Sequence, residues 1–525
     1  MSALAVVRDG RRTGSLRPNG KPDAFADALA SSKRMVICLR ASASLFRLWP
    51  GPPVRRIPLH GEHQPENAPA CTLRNTEMAL SLERVSRPFV VLAERFYPDP
   101  FVFAIVLSLM TLGLAIAVTP ASPLEAVAIW GEGLTGFLAF AMQVCLVLVL
   151  AHALAKTRAI TRGIDGLARL PATPRQAYAL VVALSGVASL VAWGLGMVVG
   201  GLAARAVARK GRRAGIALHF PLLVASAYAG FVVWHMGYSG TALLAVATPG
   251  HPLEGQMGLV PVTETMLSPA NLVTAGVTLA VVAFVCAQMS PQPGAELLVL
   301  DEPEEEVVHE EEGAPVTLGD RLDRARWLYS GLVLLVVIFL VSWFSGKGLA
   351  LNLDIVNWTL LAAGLLLADS SRHYLALITD ASRSLGPIVL QYPLYAGIVA
   401  LMTKTALADL LADGFVAIAS PDTLGFWAFV SGGVLNFFIP SGGGQWAVQG
   451  PIFLEAAREL GVASRAVVLG VAYGDQWTNL VQPFWALPLL AIAGLPARAI
   501  MGYCFVAFVA AGLCLGGGLL VVGAG

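Results

Sequence analysis

The chain's sharpest chemical feature is a carboxylate inside an apolar stretch. Asp475 stands in Ala472-Tyr473-Gly474-Asp475-Gln476-Trp477-Thr478-Asn479, and no other charged residue occurs between positions 466 and 496. A carboxylate at bilayer depth is costly, and its default reading is functional. The plain alternative is an aspartate near a span end that reaches the surface. Gly474 and Pro483 bracket the residue and suggest an unwound segment whose backbone groups face a cavity. The second candidate is His235, in His235-Met236-Gly237-Tyr238-Ser239-Gly240-Thr241; an imidazole titrates near neutral pH. Asp475 and His235 are assigned an ion-coupling role, with H+ and Na+ both left open.

A second set of residues suits an anion. Pro440-Ser441-Gly442-Gly443-Gly444-Gln445-Trp446 lies within the charge-free run 423–454. Proline ends one helix, the glycines permit a tight, exposed backbone, and a new helix starting at Gln445 offers free N–H groups. The expected substrate contacts are Ser441, Gly442, Gly443, Gly444, Gln445, Thr478 and Asn479. The first half adds Gly194 and Gly196, from Trp193-Gly194-Leu195-Gly196, with Ser239 and Thr241. No arginine lies mid-span near either turn, so these neutral donors and helix N-termini would hold the anion. The six cysteines are scattered, and HExxH, GxSxG and Walker A patterns are absent. No catalytic residue, metal or cofactor is expected beyond a coupling ion.

The elements that position these residues must be membrane helices. Of 525 residues, 56% are hydrophobic and 13% charged, and the mean hydropathy is +0.70; a soluble chain carries about 25% charge. The segments 102–118, 133–151, 265–295, 327–346, 384–403 and 501–525 hold no Asp, Glu, Lys or Arg, and about 20 apolar residues cross a bilayer. The fold class is an all-α polytopic membrane protein. A net charge of +1 gives no field for nucleic acid.

Positive loops stay cytoplasmic, which places the N-terminus inside. Basic clusters at 156–175 and 205–213 flank the charge-free run 176–204, and a hairpin turning at Trp193-Gly194-Leu195-Gly196 keeps both inside. Counting gives nine crossings and two re-entrant hairpins. Glu132, Gln143 and Lys156 match Asp380, Gln391 and Lys404 at an offset of 248, and Ala227-Tyr228 matches Ala472-Tyr473 at 245. The expected organisation has a disordered basic tail, or an over-long start ahead of Met78, at 1–77. A first transmembrane repeat follows at 78–290, then an acidic cytoplasmic linker at 291–326 and a linking helix at 327–350. A second repeat occupies 351–525, inverted because the linking helix reverses its direction.

From about Met78 onward the sequence resembles the bacterial short-chain fatty acid transporter family, typified by the acetoacetate/butyrate carrier. The resemblance rests on Tyr97-Pro98-Asp99-Pro100, Trp193-Gly194-Leu195-Gly196, Ala247-Thr248-Pro249-Gly250, Pro440 to Trp446 with Gln449-Gly450-Pro451, Ala472 to Trp477, and Gln482 to Pro488. Gln445 stands where His is expected, Thr478 where Met is familiar, and His235 replaces a glycine; Asp475 occupies a position where Glu also fits. The resemblance implies uptake of short-chain monocarboxylates such as acetoacetate or butyrate across the inner membrane. It also implies kinship with a larger ion-transporter superfamily whose members use two hairpins and an elevator motion. The expected function is an H+- or Na+-coupled secondary transporter. Its partners are a short-chain carboxylate, the bilayer and, compatibly, further copies of the chain; nucleic acid is not one. An uncoupled anion channel and an intramembrane enzyme are the alternatives; the second lacks a partner aspartate.

Overall fold

The computed structural model describes residues 54–58, 82–136, 138–248, 251, 253–292, 295–300, 317–323, 325–348, 353–382, 385–440 and 442–523. Ser441, the acidic run 302–312 and most of the 1–77 segment lie outside the described residues.

Strand β1 (Val54–Pro58) precedes α1 (Leu82–Phe96), α2 (Pro100–Val118), α3 (Pro123–Gly133), α4 (Leu138–Ala155) and α5 (Arg158–Leu167). Next come α6 (Pro174–Val191) and α7 (Trp193–Arg213), then α8 (Phe220–Gly230), which runs on as a 3-10 turn over Phe231–Met236. After a break at 237–240 come α9 (Thr241–Ala247), α10 (Glu254–Met257), α11 (Pro269–Gln288) and β2 (Glu296–Leu300). The second half comprises α12 (Leu318–Asp323), α13 (Arg326–Lys347), α14 (Leu353–Leu367), α15 (Ser371–Ser382), α16 (Gly386–Lys404) and α17 (Leu407–Val416). It ends with α18 (Leu424–Asn436), α19 (Gly442–Leu460), α20 (Ser464–Asn479), α21 (Pro483–Ala493) and α22 (Arg498–Gly523).

Local chemistry starts these helices. Asp99, Ser122, Thr173 and Ser268 each cap a helix by accepting a backbone N–H, and each is followed by proline. Proline at that position has a preset φ and lacks an N–H that would go unpaired anyway. Among the described residues, six helices are long and apolar enough to cross a membrane, or up to eight if each sharply bent pair is one span. Composition alone suggested nine crossings; here several spans are broken or short, as at Asp354–Leu367, Leu424–Asn436 and Pro483–Ala493.

Burial separates two kinds of span. All of the most apolar window of 220–247 is buried, against 11% of that of 327–347. The latter helix, α13, presents Leu334, Leu335, Ile338 and Val341 outward, as a lipid-facing helix must. Lys347 lies 4.0 Å over the Trp343 ring near its end, an interfacial arrangement.

The helices pack as two sets. One comprises α2, α3, α4, α13, α14, α15 and α16; the other comprises α1, α6, α7, α8, α11, α18, α19, α20 and α22. They meet where α4 packs on α7 and where α21 touches α7, α8, α2 and α16. Both helical hairpins belong to the second set. In the first, Ser185 donates to Gly196 O at 3.1 Å across the arms; in the second, Gln445 Nε2 donates to Gly432 O at 2.6 Å. The first turn falls at Ala192, in extended conformation, so that Trp193 to Gly196 open the returning arm instead of forming the turn.

Each half also reaches for the other. Lys156 Nζ lies 2.6 Å from Asp380 Oδ2, and Lys404 Nζ lies 3.8 Å from Glu132 Oε2. The first pair is reinforced by His152 at 3.3 Å; with the His152 hydrogen bond contributing most and Lys156 next, Asp380 is held well below the usual carboxylate range. The second pair is exposed and worth little.

Within the basic N-terminal segment, Val54–Pro58 pair antiparallel with Glu296–Leu300 of the acidic linker. Leu297 and Leu300 are buried, Leu298 N donates to His219 Nδ1 at 3.2 Å, and Arg212 donates to Leu300 O at 3.2 Å. Apolar side chains and two backbone anchors thus dock the linker on α7 and α8.

Burial pushes His219 down to about 4 from an ordinary value of 6.5. Because the folded value is depressed, the stabilisation from neutral His219 is complete above 6.5 and is lost as pH falls through 4. Protonation also removes the acceptor that Leu298 N uses. Amide protection at Leu298, followed by hydrogen exchange corrected for the intrinsic rate, is expected to fall across that interval and to survive it in His219→Asn, whose side chain keeps an acceptor.

Candidate functional site

The site forms where the broken helix of each half crosses the other. The first break lies at 237–240, and Asn271 braces it by donating from Nδ2 to Met236 O at 3.0 Å and Met266 O at 2.7 Å. Tyr473 OH donates in turn to Asn271 Oδ1 at 2.9 Å. The second break lies at 480–482, between α20 and α21. That corrects the expectation of unwinding at Gly474: Gly474 and Asp475 are both helical. Gly474 serves packing, since a Cβ there would stand 2.2 Å from Phe429 O on the first arm of the second hairpin. Pro483 does begin a new helix.

Asp475 and His235 are in direct contact. Their side chains are 0% exposed, and His235 Nδ1 lies 2.9 Å from Asp475 Oδ2. The other ring nitrogen, Nε2, accepts Ala242 N–H at 3.0 Å. A backbone N–H can only donate, so Nε2 is unprotonated and the proton on Nδ1 is donated to Asp475. Trp234 stacks on the imidazole with ring centroids 4.3 Å apart. Among the described residues, Asp475 Oδ1 has no hydrogen-bond partner.

The second hairpin closes on this pair. A Cβ on Gly442 would stand 2.1 Å from His235 Cε1 and 2.9 Å from Thr241 Oγ1, whereas one on Gly443 would meet Thr241 Cβ at an ordinary 3.7 Å. Of these two glycines, Gly442 is the one that a close approach requires. Gly442, Gly443 and Gly444 form the opening turn of α19. Ser441 lies outside the described residues.

The remaining expected residues have local partners. Gln445 and Thr478 hold the hairpin: Asn436 Nδ2 donates to Thr478 Oγ1 at 2.9 Å and to Asp475 O at 2.7 Å. Ser239 accepts Trp193 N–H at 2.9 Å and ties the first turn to the first break. Gly194 and Gly196 are packing positions, each with an added Cβ overlapping Val147 or Ser189 respectively. Asn479 sits at the crossing, where Oδ1 accepts Trp234 Nε1–H at 2.9 Å. Trp234, Asn271, Asn436 and Gln476, which accepts His235 N–H at 3.0 Å, were not among the expected site residues. For Asn271, Asn436 and Gln476 the signal was an amide within a charge-free run, where an unpaired amide is costly.

Residues 81–522 match the family model for short chain fatty acid transporters. A protein of Escherichia coli (strain K12) named "Putative short-chain fatty acid transporter" is 38% identical over 435 residues, 82% of this chain and 97% of its own length. The chain belongs to the short-chain fatty acid transporter family. A Haemophilus influenzae protein with the same name is 33% identical over 441 residues, again 82% of this chain and 97% of its own. The solved Alcanivorax borkumensis YdaH transporter covers 81% of this chain and 98% of its own, with 16% identity and a TM-score of 0.42. Family membership and the apolar helices make this a multi-pass membrane protein of a transporter family.

Gly442→Ala forces the hairpin tip off His235, and overpacking of this kind costs about 1–3 kcal/mol. Uptake into proteoliposomes is expected to fall about tenfold or more, while Gly443→Ala keeps near-normal uptake. Equal activity of the two variants would remove the hairpin tip from the site.

Proposed function

We propose that the protein is a proton-coupled secondary transporter that takes up short-chain monocarboxylates, such as butyrate or acetoacetate, across the bacterial inner membrane. One observation carries this reading: the Asp475–His235 pair, fully buried, joins the two halves beside the hairpin tip. With the proton on Nδ1, a neutral imidazole faces an ionised carboxylate and the pair carries one negative charge. A monocarboxylate is almost wholly ionised at pH 7. Two carboxylates at close range in a water-poor site do not both stay ionised. One proton taken up by the pair cancels its charge, and the anion then binds; release of the anion lets the proton leave. That coupling is symport with one proton per substrate.

We also propose that the halves are inverted copies. The support is the repeated order of elements and the reciprocal ion pairs, in which positions matched at an offset of 248 exchange partners: Lys156 with Asp380, Lys404 with Glu132. A twofold relation makes such exchange natural. The set containing both hairpins is the natural moving body of an elevator, with α2 to α4 and α13 to α16 as the fixed one. The N-terminus is cytoplasmic on the positive-inside pattern.

The test is uptake of labelled butyrate into proteoliposomes, with proton and sodium gradients imposed separately. Accumulation is expected with the proton gradient alone; accumulation that requires sodium would replace the proton as coupling ion. Asp475→Asn keeps an acceptor for His235 Nδ1–H and removes only the titratable charge. It is expected to lose gradient-driven accumulation, at least about tenfold, while retaining exchange of internal for external butyrate. Full accumulation in that variant would remove Asp475 from coupling.

A further inference from the structure

Among the described residues, four buried N–H donors without a partner recur every third residue: Gln476 Nε2, Asn479 Nδ2, Gln482 Nε2 and Trp485 Nε1. Their residues are 0%, 0%, 3% and 5% exposed. Buried donors normally find partners, and each exception needs a cause. A spacing of three puts Gln476 and Asn479 on one face of α20, and the turn at 480–482 carries the series into α21.

The orientation of two of these amides is dictated by their neighbours. Gln476 Oε1 faces His235 N–H, and Asn479 Oδ1 faces Trp234 Nε1–H. Both neighbours can only donate, so each amide must present its oxygen to them and leave its NH2 group free. Trp485 belongs to the same locus: its ring lies 6.0 Å from Trp234 and 6.2 Å from Phe231, centroid to centroid.

The two halves differ here. At the offset of 245 that aligns Tyr228 with Tyr473, the four donor residues correspond to Phe231, Trp234, Gly237 and Gly240. One broken helix therefore carries a series of donors where the other carries two aromatic rings and two glycines. A molecule matched to both surfaces has an anionic head and a short apolar body.

We infer that the series Gln476 Nε2, Asn479 Nδ2, Gln482 Nε2 and Trp485 Nε1 offers hydrogen bonds to the substrate carboxylate, neighbouring members at a time, with Phe231 and Trp234 against its acyl chain. This rests on the proposed transport of monocarboxylates and names the atoms that select them. A carboxylate has about four acceptor positions and takes charge-assisted hydrogen bonds from neutral N–H groups. The unpartnered Asp475 Oδ1 adjoins the series at its first residue, so loading the head group and protonating the pair occur side by side.

The variants that test this remove donors and little else. Trp485→Phe deletes one N–H and keeps the ring; Asn479→Asp and Gln476→Glu keep the oxygen that accepts from Trp234 or His235 and lose the NH2. The readout is butyrate counterflow in proteoliposomes, with the half-saturating concentration measured for each purified, monodisperse variant, and with butyramide as the uncharged competitor. Half-saturation is expected to rise about tenfold to a hundredfold, with a smaller change in maximal rate. Butyramide, which competes poorly with the wild type, is expected to compete nearly as well as unlabelled butyrate in Trp485→Phe. A folded Trp485→Phe with wild-type half-saturation and wild-type discrimination against butyramide overturns the donor series, whether or not the two acidic variants fold. Wild-type protein that exchanges no short-chain carboxylate overturns the transport reading itself, and the donor series falls with it.

Discussion

The hydrogen bond between His235 and Asp475 is the constraint around which the rest of the interior is arranged. A fully buried carboxylate needs a partner, and this one finds it on the opposite half of the chain. Holding that partner in place takes a chain of further contacts. Ala242 N–H sets the imidazole tautomer, Trp234 stacks on the ring, and Gln476 receives the His235 backbone. Each contact belongs to one of the two broken helices, so the pair, the breaks and the crossing of the halves form one unit.

The breaks are costly, and the structure shows how their backbone groups are satisfied. Asn271 takes the carbonyls of Met236 and Met266, and Tyr228 OH takes those of Asn479 and Gln482 at 2.5 and 3.0 Å. Non-helical backbone in a membrane protein survives only where protein or a polar cavity provides partners. The aromatic and amide side chains around the site are therefore structural supports and candidate ligand groups together. The same economy governs the hairpins, where glycines let helices approach until backbone touches backbone, as Gly470 does toward Gly425 and Gly474 toward Phe429. Small residues at helix contacts are how membrane helices gain packing energy without a hydrophobic drive.

In the proposed transport cycle one body moves against another. The division into a set with both hairpins and a set of plainer helices supplies two bodies, and the narrow seam at α4, α7 and α21 supplies a surface between them. Trp485 and Phe484 lie on that seam, with Phe484 packed on Tyr392 and Tyr395 of the plainer set. The docked linker strand ties the connection between the halves to the hairpin-bearing set through Leu297, Leu300 and His219.

The sequence by itself determined the class of protein, its family, the two helical hairpins and the placing of Asp475 in an apolar stretch. Those properties follow from local patterns: charge-free runs long enough for a bilayer, prolines and glycines at turns, and a carboxylate stranded among apolar residues. Only the tertiary structure decided what Asp475 touches, because its partner lies 240 positions away and no local rule links them. The same holds for Gly442 over Gly443, which differ only in what the other half brings near, and for Gly194 and Gly196, whose role is packing. The free amide groups of Gln476 and Asn479 were legible as polar residues in an apolar run, but which atom remains free depends on a donor from another helix. Periodicity reads the face a residue occupies; it does not read the partner that arrives there from the other half of the chain.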